Sequence, residues 1–170
     1  MTDRLNQFQQ KPQMFALGGV LKRIGHFEPR RFKRNFEQRL VTQKTIYLLQ
    51  TFGLYLGYSF NWYLRGPYSP GLTRDAYSLA EIYQYVPSAR FQNPNEEQRF
   101  EELQKMLKEV GNNSRFLELV ASTHFVKRVN PELNTDDLFE EIVSRKPKTK
   151  RSEFDRAIEL LEKYRVLETE

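Results

Sequence analysis

The amino-acid sequence predicts a mainly α-helical fold of the α+β class: a single domain of many helices with a small strand pair, laid out like a winged helix. Three observations lead to this prediction. Apolar residues recur at helical spacing through most of the 170 residues. One segment, residues 58–64, alternates instead with period two, which is typical of a strand. The length of the chain fits one domain of roughly 100–200 residues.

Two segments are predicted to precede the main domain of residues 40–170. Residues 1–13 are polar and rich in Gln, and we expect them to be flexible. Residues 14–39 are expected to form a basic helical extension. Apolar side chains follow one another at helical spacing over residues 14–24, and Gly25 is placed to end that helix.

A basic amphipathic helix is predicted from Pro29, because proline is favoured in the first turn of a helix. Phe32, Phe36 and Leu40 repeat at every fourth position and should anchor one face. The cations of this helix are Arg30, Arg31, Lys33, Arg34 and Arg39. We expect a break near Leu40, with Thr42 as the N-cap of the next helix.

The central core helix is predicted over residues 42–56, which are apolar on most sides, and Gly57 should end it. The strand of residues 58–64 carries aromatic side chains at alternate positions. A lone strand needs a partner, which we expect in residues 166–168 or in another short extended piece. Ser69 and Pro70 suit the N-cap and the first position of a further helix that reaches about Tyr85.

Four more helices are predicted in the remaining chain. A charged helix over residues 96–110 presents an apolar stripe every three or four positions. Three helices then begin at good N-cap residues, Ser114, Thr135 and Ser152.

Charge is distributed unevenly along the chain, whose net charge is +5. Residues 1–44 hold ten Lys/Arg against three Asp/Glu, and residues 96–145 hold seven against eleven. Such polarity suits an anionic partner, either nucleic acid or an acidic protein. The alternative is that these charges line solvated helix faces or pair with one another within the chain.

No motif of an enzyme is present, and we expect neither catalysis, nor a cofactor, nor a bound metal. The absence of cysteine excludes disulfides and thiol catalysis. The two histidines lack acidic partners at ligand spacing, and His124 is expected to be buried and hydrogen-bonded. Acidic residues at 136–137 and 140–141 fit the electrostatics of a helix N-terminus. Without an apolar span or a leader-like N-terminus, we expect a cytoplasmic protein that does not enter a membrane.

Five segments together carry a resemblance to a known family. They are Gln43–Gln50, Gly57–Phe60, Tyr63–Ser69, Glu118–Phe125 and Arg145–Pro147 with the following helix Phe154–Leu161. In order they give a helix, an aromatic strand, a Gly-Pro-Tyr-Ser turn, a helix that ends in Ser-Thr-His-Phe, and a basic link. The chain from about Leu40 to Val166 thereby resembles the Panacea-domain family, which comprises phage-associated, SocA-like antitoxins and YwgA-type proteins.

The resemblance implies a non-enzymatic protein-interaction module that neutralises a partner, such as a toxin encoded nearby, by direct binding. The partner-binding residues are then expected at the turn: Tyr63, Arg65, Gly66, Pro67, Tyr68 and Ser69. The simpler interpretation of that turn is a connector that serves the fold. The alternative function is a winged-helix-like regulator that binds nucleic acid through the five cations of the basic helix.

Overall fold

Eight α-helices and one antiparallel strand pair make up residues 11–167, the part of the chain that the computed structural model describes. They are α1 (Pro12–Ile24), α2 (Pro29–Arg34), α3 (Phe36–Thr51), β1 (Asn61–Tyr63), β2 (Gly66–Tyr68), α4 (Pro70–Ala80), α5 (Pro94–Val110), α6 (Ser114–Val129), α7 (Thr135–Arg145) and α8 (Arg151–Lys163). The predicted fold class, mainly α with a small strand pair, is confirmed. Most of the predicted flexible segment, residues 1–13, lies outside the described residues.

Helices α3 and α6 form the centre of the molecule. Both are buried around most of their circumference, and α6 packs against α3, α7, α8 and β2. The prediction of a central core helix is therefore confirmed for α3, where Ile46, Tyr47 and Leu49 are buried. A helix that is enclosed on all sides holds its polar side chains inside the protein as well, and those side chains position the hairpin.

The N-terminal helix α1 shares this core. Its residues Met14, Leu17, Val20 and Leu21 are buried, and α1 packs against α4. Gly25 ends the helix in the left-handed conformation with φ 86°, as predicted. The boundary placed at residue 40 stays a prediction, although core residues lie on both sides of it.

The prediction of one continuous basic helix from Pro29 to a break near Leu40 is wrong. Helix α2 ends at Arg34, and Asn35 is extended (φ −118°, ψ 117°). The Asn35 side chain caps α3 by accepting a hydrogen bond from the Gln38 backbone N–H at 3.2 Å. An asparagine that satisfies a free N–H at this point ends one helix and begins the next. Phe36 consequently starts α3 and is 55% exposed, so it anchors nothing.

The predicted end of the core helix is also wrong. Of the two strand partners left open by the sequence, the structure shows the second, another short extended piece. Helix α3 ends at Thr51, and Gly53 takes the left-handed backbone that turns the chain. Strand β1 is shorter than residues 58–64 and pairs with β2, in the register Asn61 with Tyr68 and Tyr63 with Gly66. Gly66, at φ 97°, allows the chain to reverse over the two intervening residues, so a neighbouring segment becomes the partner.

Asparagines cap the later helices. Asn113 and Asn134 accept backbone N–H bonds one position before the predicted caps Ser114 and Thr135, and the last helix begins at Arg151, before Ser152. Asn and Ser/Thr are comparable caps, so two adjacent candidates cannot be ranked from sequence. None of the helices in residues 11–167 has the length and apolar character needed to cross a lipid bilayer.

Candidate protein-interaction site at the hairpin

The hairpin is held from behind by two consecutive side chains of α3. The Gln43 amide spans β2 and the start of α4: Nε2 donates to the Ser69 carbonyl at 2.9 Å, and Oε1 accepts from the Ser69 N–H at 2.9 Å. Its Nε2 also donates to the Thr73 hydroxyl at 2.8 Å, which in turn donates to the Tyr68 hydroxyl at 2.9 Å. The buried Gln43 amide thus pairs with both backbone groups of Ser69, as a third strand would at this edge of the hairpin.

Lys44 continues the attachment one residue further along. It is only 2% exposed, and its Nζ donates to the Pro67 carbonyl at 2.7 Å. Burial lowers the pKa of Lys44 to about 8, although the negative charge of Glu118 acts in the opposite direction. The Gln-Lys pair and the Gly-Pro-Tyr-Ser turn are distant in sequence but form one hydrogen-bonded unit.

Gly66 brings the hairpin against α6. A Cβ at this position would overlap the Ser122 hydroxyl, and the positive φ by itself disfavours any other residue. The Ser122 hydroxyl is buried and has no hydrogen-bond partner among residues 11–167. The glycine is therefore required twice, for the turn and for the close approach of the backbone to α6.

Glu118 of α6 interacts with two cations beneath the tip of the hairpin. Its side chain forms an ion pair with Lys146, from the loop after α7, and lies 3.8 Å from the guanidinium of Arg65. The carboxylate is 9% exposed, and it balances cations that come from two different segments of the chain. The basic link predicted around Lys146 therefore packs against the hairpin.

An exposed apolar surface lies at the tip of the hairpin. Leu64 is 82% exposed and Tyr63 is 59% exposed, and the Tyr63 ring packs against the Tyr68 ring at 5.3 Å. Arg65 stacks over the exposed Phe36 ring at 5.7 Å. We name these four residues, Phe36, Tyr63, Leu64 and Arg65, the hairpin patch.

The six residues predicted to bind a partner divide into two groups. Tyr63 and Arg65 are exposed and Tyr68 is half-buried, whereas Gly66, Pro67 and Ser69 are buried and hold the turn in place. Sequence reasoning missed Phe36, which it placed on the anchoring face of the basic helix, and it made no prediction for the exposure of Leu64. The Asn35 cap and the position of Leu64 two residues before a glycine were the available signals.

Four of the five cations of the alternative site lie on α2, and the fifth, Arg39, lies on α3. Lys33 pairs with Glu81, and Arg39 donates to the carbonyls of Phe32 and Lys33 at the end of α2. Arg30, Arg31 and Arg34 remain exposed on the short helix α2, and none of them forms an ion pair with a carboxylate of residues 11–167.

His124 has the buried, hydrogen-bonded position that was expected. It is 8% exposed, its Nδ1 lies 2.7 Å from the Tyr47 hydroxyl, and burial lowers its pKa to about 4. Burial also raises the pKa of Tyr47. Both groups are consequently neutral near pH 7 and share one hydrogen bond. They line a cavity of about 580 Å³ with aromatic walls.

Within residues 11–167, no three His, Asp or Glu side chains come together as the ligands of a metal would. Asp136 instead pairs with Arg151 at 2.8 Å, and Asp137 accepts from the Asn134 side chain at 2.9 Å. These carboxylates serve the start of α7 and its contact with α8.

Comparison with known proteins gave no match: no family model, no curated protein and no solved structure resembles the chain significantly. The resemblance to the Panacea-domain family therefore depends on the motif residues alone, and its functional implications enter as a proposal.

Proposed function

We propose that the protein is a non-enzymatic, cytoplasmic interaction module, antitoxin-like in its mode of action, that binds a partner protein through the hairpin patch. One observation carries the proposal: large apolar side chains are exposed at the tip of a hairpin that the protein holds rigidly. Leu64 and Tyr63 are the most exposed of these, and two buried residues, Gln43 and Lys44, fix the strand beside them.

Rigidity favours binding because the hairpin then loses less conformational entropy on association. The hairpin patch combines two aromatic rings, a leucine and an arginine, and aromatic residues and arginine are enriched in protein interfaces. The patch also coincides with the turn where the Panacea-domain resemblance places partner contacts. Tyr63 and Arg65 would contact the partner directly, while Gly66, Pro67 and Ser69 would shape the surface.

The test is capture of the protein encoded beside this gene. Tyr63→Ala combined with Leu64→Ala should weaken binding at least about tenfold (~1.4 kcal/mol), since truncated anchor residues cost this much or more. The matched control is Tyr85→Ala with Val129→Ala, which removes exposed apolar side chains elsewhere on the surface. Binding of the patch variant at wild-type affinity, with its circular dichroism unchanged, would refute the proposal.

A second candidate function is binding to nucleic acid through α2. The supporting observation is that Arg30, Arg31 and Arg34 are exposed without ion-pair partners among residues 11–167. Three phosphate contacts predict a log–log salt slope of about −2.7 on duplex DNA, since each contact contributes about −0.9. Duplex binding measured by anisotropy across a salt series tests this. A salt slope that is unchanged when all three arginines are replaced by Ala excludes α2 as the site that binds DNA.

A further inference from the structure

A basic cleft of about 450 Å³ lies beside the hairpin patch, between the hairpin, the start of α6 and the loop that joins α7 to α8. Its cations are Arg65, Arg115, Arg145, Lys146 and Lys148, and its carboxylates are Glu118 and Glu153. Five positive groups face two negative ones, so the lining carries an excess of three positive charges. A concave surface of one sign concentrates ligands of the opposite sign.

Three cations of the cleft are held in place before any ligand arrives. The Arg145 guanidinium lies 4.6 Å from the centre of the Trp62 ring and pairs with Glu141 at 2.9 Å. Lys146 pairs with Glu118, and Arg115 donates to the Lys148 carbonyl at 3.0 Å. Side chains fixed in this way lose little freedom when they bind.

The internal carboxylates do not balance this charge. Glu118 is shared between Arg65 and Lys146, and Glu153 lies 3.6 Å from Arg115. Lys148 forms no ion pair with any carboxylate of residues 11–167. Counting Glu141, which pairs with Arg145, three carboxylates thus serve the five cations of the cleft, and an excess of two positive charges remains.

The cleft is continuous with the hairpin patch, because Arg65 and Leu64 belong to both. A ligand that fills the cleft and also covers Leu64 needs negative charge next to apolar side chains. A peptide with several Asp or Glu residues beside a hydrophobic one has this chemistry. A phosphodiester backbone does not, since it carries no apolar group to cover Leu64.

We infer that the basic cleft binds an acidic segment of the partner protein, whose neighbouring apolar residue covers Leu64. The inference rests on the proposed function, since it specifies the chemistry of the partner. In this arrangement the hairpin patch contacts the apolar residue of the partner, and the basic cleft binds its carboxylates. Charge complementarity of this kind sets the association rate and the choice of partner more than the final affinity.

Fluorescein-labelled octaglutamate tests the cleft by anisotropy on the full-length protein. We expect binding at about 50 mM salt that largely disappears at about 300 mM, because screening weakens exposed charge pairs. Arg115→Glu with Lys148→Glu should reduce the affinity at least about tenfold, since two exposed attractions become repulsions. The matched control, Arg30→Glu with Arg34→Glu, changes the net charge equally but lies on α2, and it should keep affinity within about twofold.

Three outcomes would overturn the inference: no octaglutamate binding at low salt, equal loss in both charge-reversal variants, or equally tight binding of octalysine or of a single-stranded oligothymidine. Arg115→Gln with Lys148→Gln repeats the test should the reversals unfold the protein. Failure of the proposed function is distinguishable, because octaglutamate has no apolar residue. Tyr63→Ala with Leu64→Ala should leave its binding unchanged while capture of the partner protein is lost.

Discussion

Lys44→Met is the most informative single change, because it removes a charge that the fold buries almost completely. Methionine has a similar length and volume and no amino group. The Pro67 carbonyl loses its donor, which costs about 1–3 kcal/mol at every pH. A buried lysine differs from an exposed one in its pH dependence: the difference in free energy of unfolding between wild type and variant then changes with pH.

The magnitude follows from the pKa of Lys44, which burial lowers from 10.5 to about 8. The folded value lies below the unfolded one, so the unfolded chain binds more protons between the two. The free energy of unfolding therefore rises with pH across this window. At lower pH both states hold the proton, and the full penalty of burying the charge is present. Linkage gives a gain of about 2 kcal/mol between about pH 7 and about pH 9.5.

Urea unfolding of both proteins at several pH values measures this gain. The difference in free energy of unfolding, wild type minus variant, should increase by about 2 kcal/mol over that range. Higher pH is avoided because burial raises the pKa of Tyr47 and Tyr58, whose ionisation in the unfolded chain opposes the effect. Lys105→Met is the control, since this side chain is exposed in the folded protein and its replacement should give a difference independent of pH.

A difference that stays constant with pH, or one that falls, would show that Lys44 is not desolvated behind the hairpin. The account of how Gln43 and Lys44 hold the turn would then fail as well, because it requires the same burial.

Further predictions concern the supports of the fold. Gly66→Ala should destabilise by roughly 2–4 kcal/mol, because strain at positive φ adds to overlap with Ser122, whereas Gly25→Ala, with no atom within 4 Å of the new Cβ, should cost only about 1 kcal/mol. Adding Ser122→Ala to Gly66→Ala should recover part of the lost stability. Chemical denaturation measures the stability of all three variants. Equal destabilisation at the two glycines would contradict the close approach of Gly66 to α6. Asn35→Ala should lower the free energy of unfolding by about 1 kcal/mol and reduce the helicity measured by circular dichroism. No change in either quantity would show that Asn35 is not the N-cap of α3. His124 has a pKa lowered to about 4, so stability should fall as pH drops from about 6.5 through 4, by up to about 3 kcal/mol, and a His124→Gln variant should lack that part of the acid sensitivity.

The sequence by itself determined the helices and the helix ends that depend on local chemistry. Gly25 ends α1 because only a residue without a side chain takes its backbone conformation easily, and Ser69 caps α4 because its hydroxyl reaches the Leu72 N–H. The aromatic alternation before the turn likewise placed β1 correctly to within a few residues. These features are decided by neighbours within about four positions along the chain, so a single sequence contains them.

Tertiary structure decided which apolar and charged side chains are exposed. Phe36 and Leu64 are as apolar as buried residues, and only the cap at Asn35 and the pairing of β1 with β2 turn them outward. The Gln43–Ser69 and Lys44–Pro67 hydrogen bonds join residues more than twenty positions apart, and the basic cleft gathers side chains from three distant segments. Contacts between residues so far apart in the sequence depend on how the helices pack, which no local pattern specifies. The break that places Arg39 on α3, apart from the four cations of α2, is by contrast local, because Asn35 caps α3 by accepting the Gln38 backbone N–H.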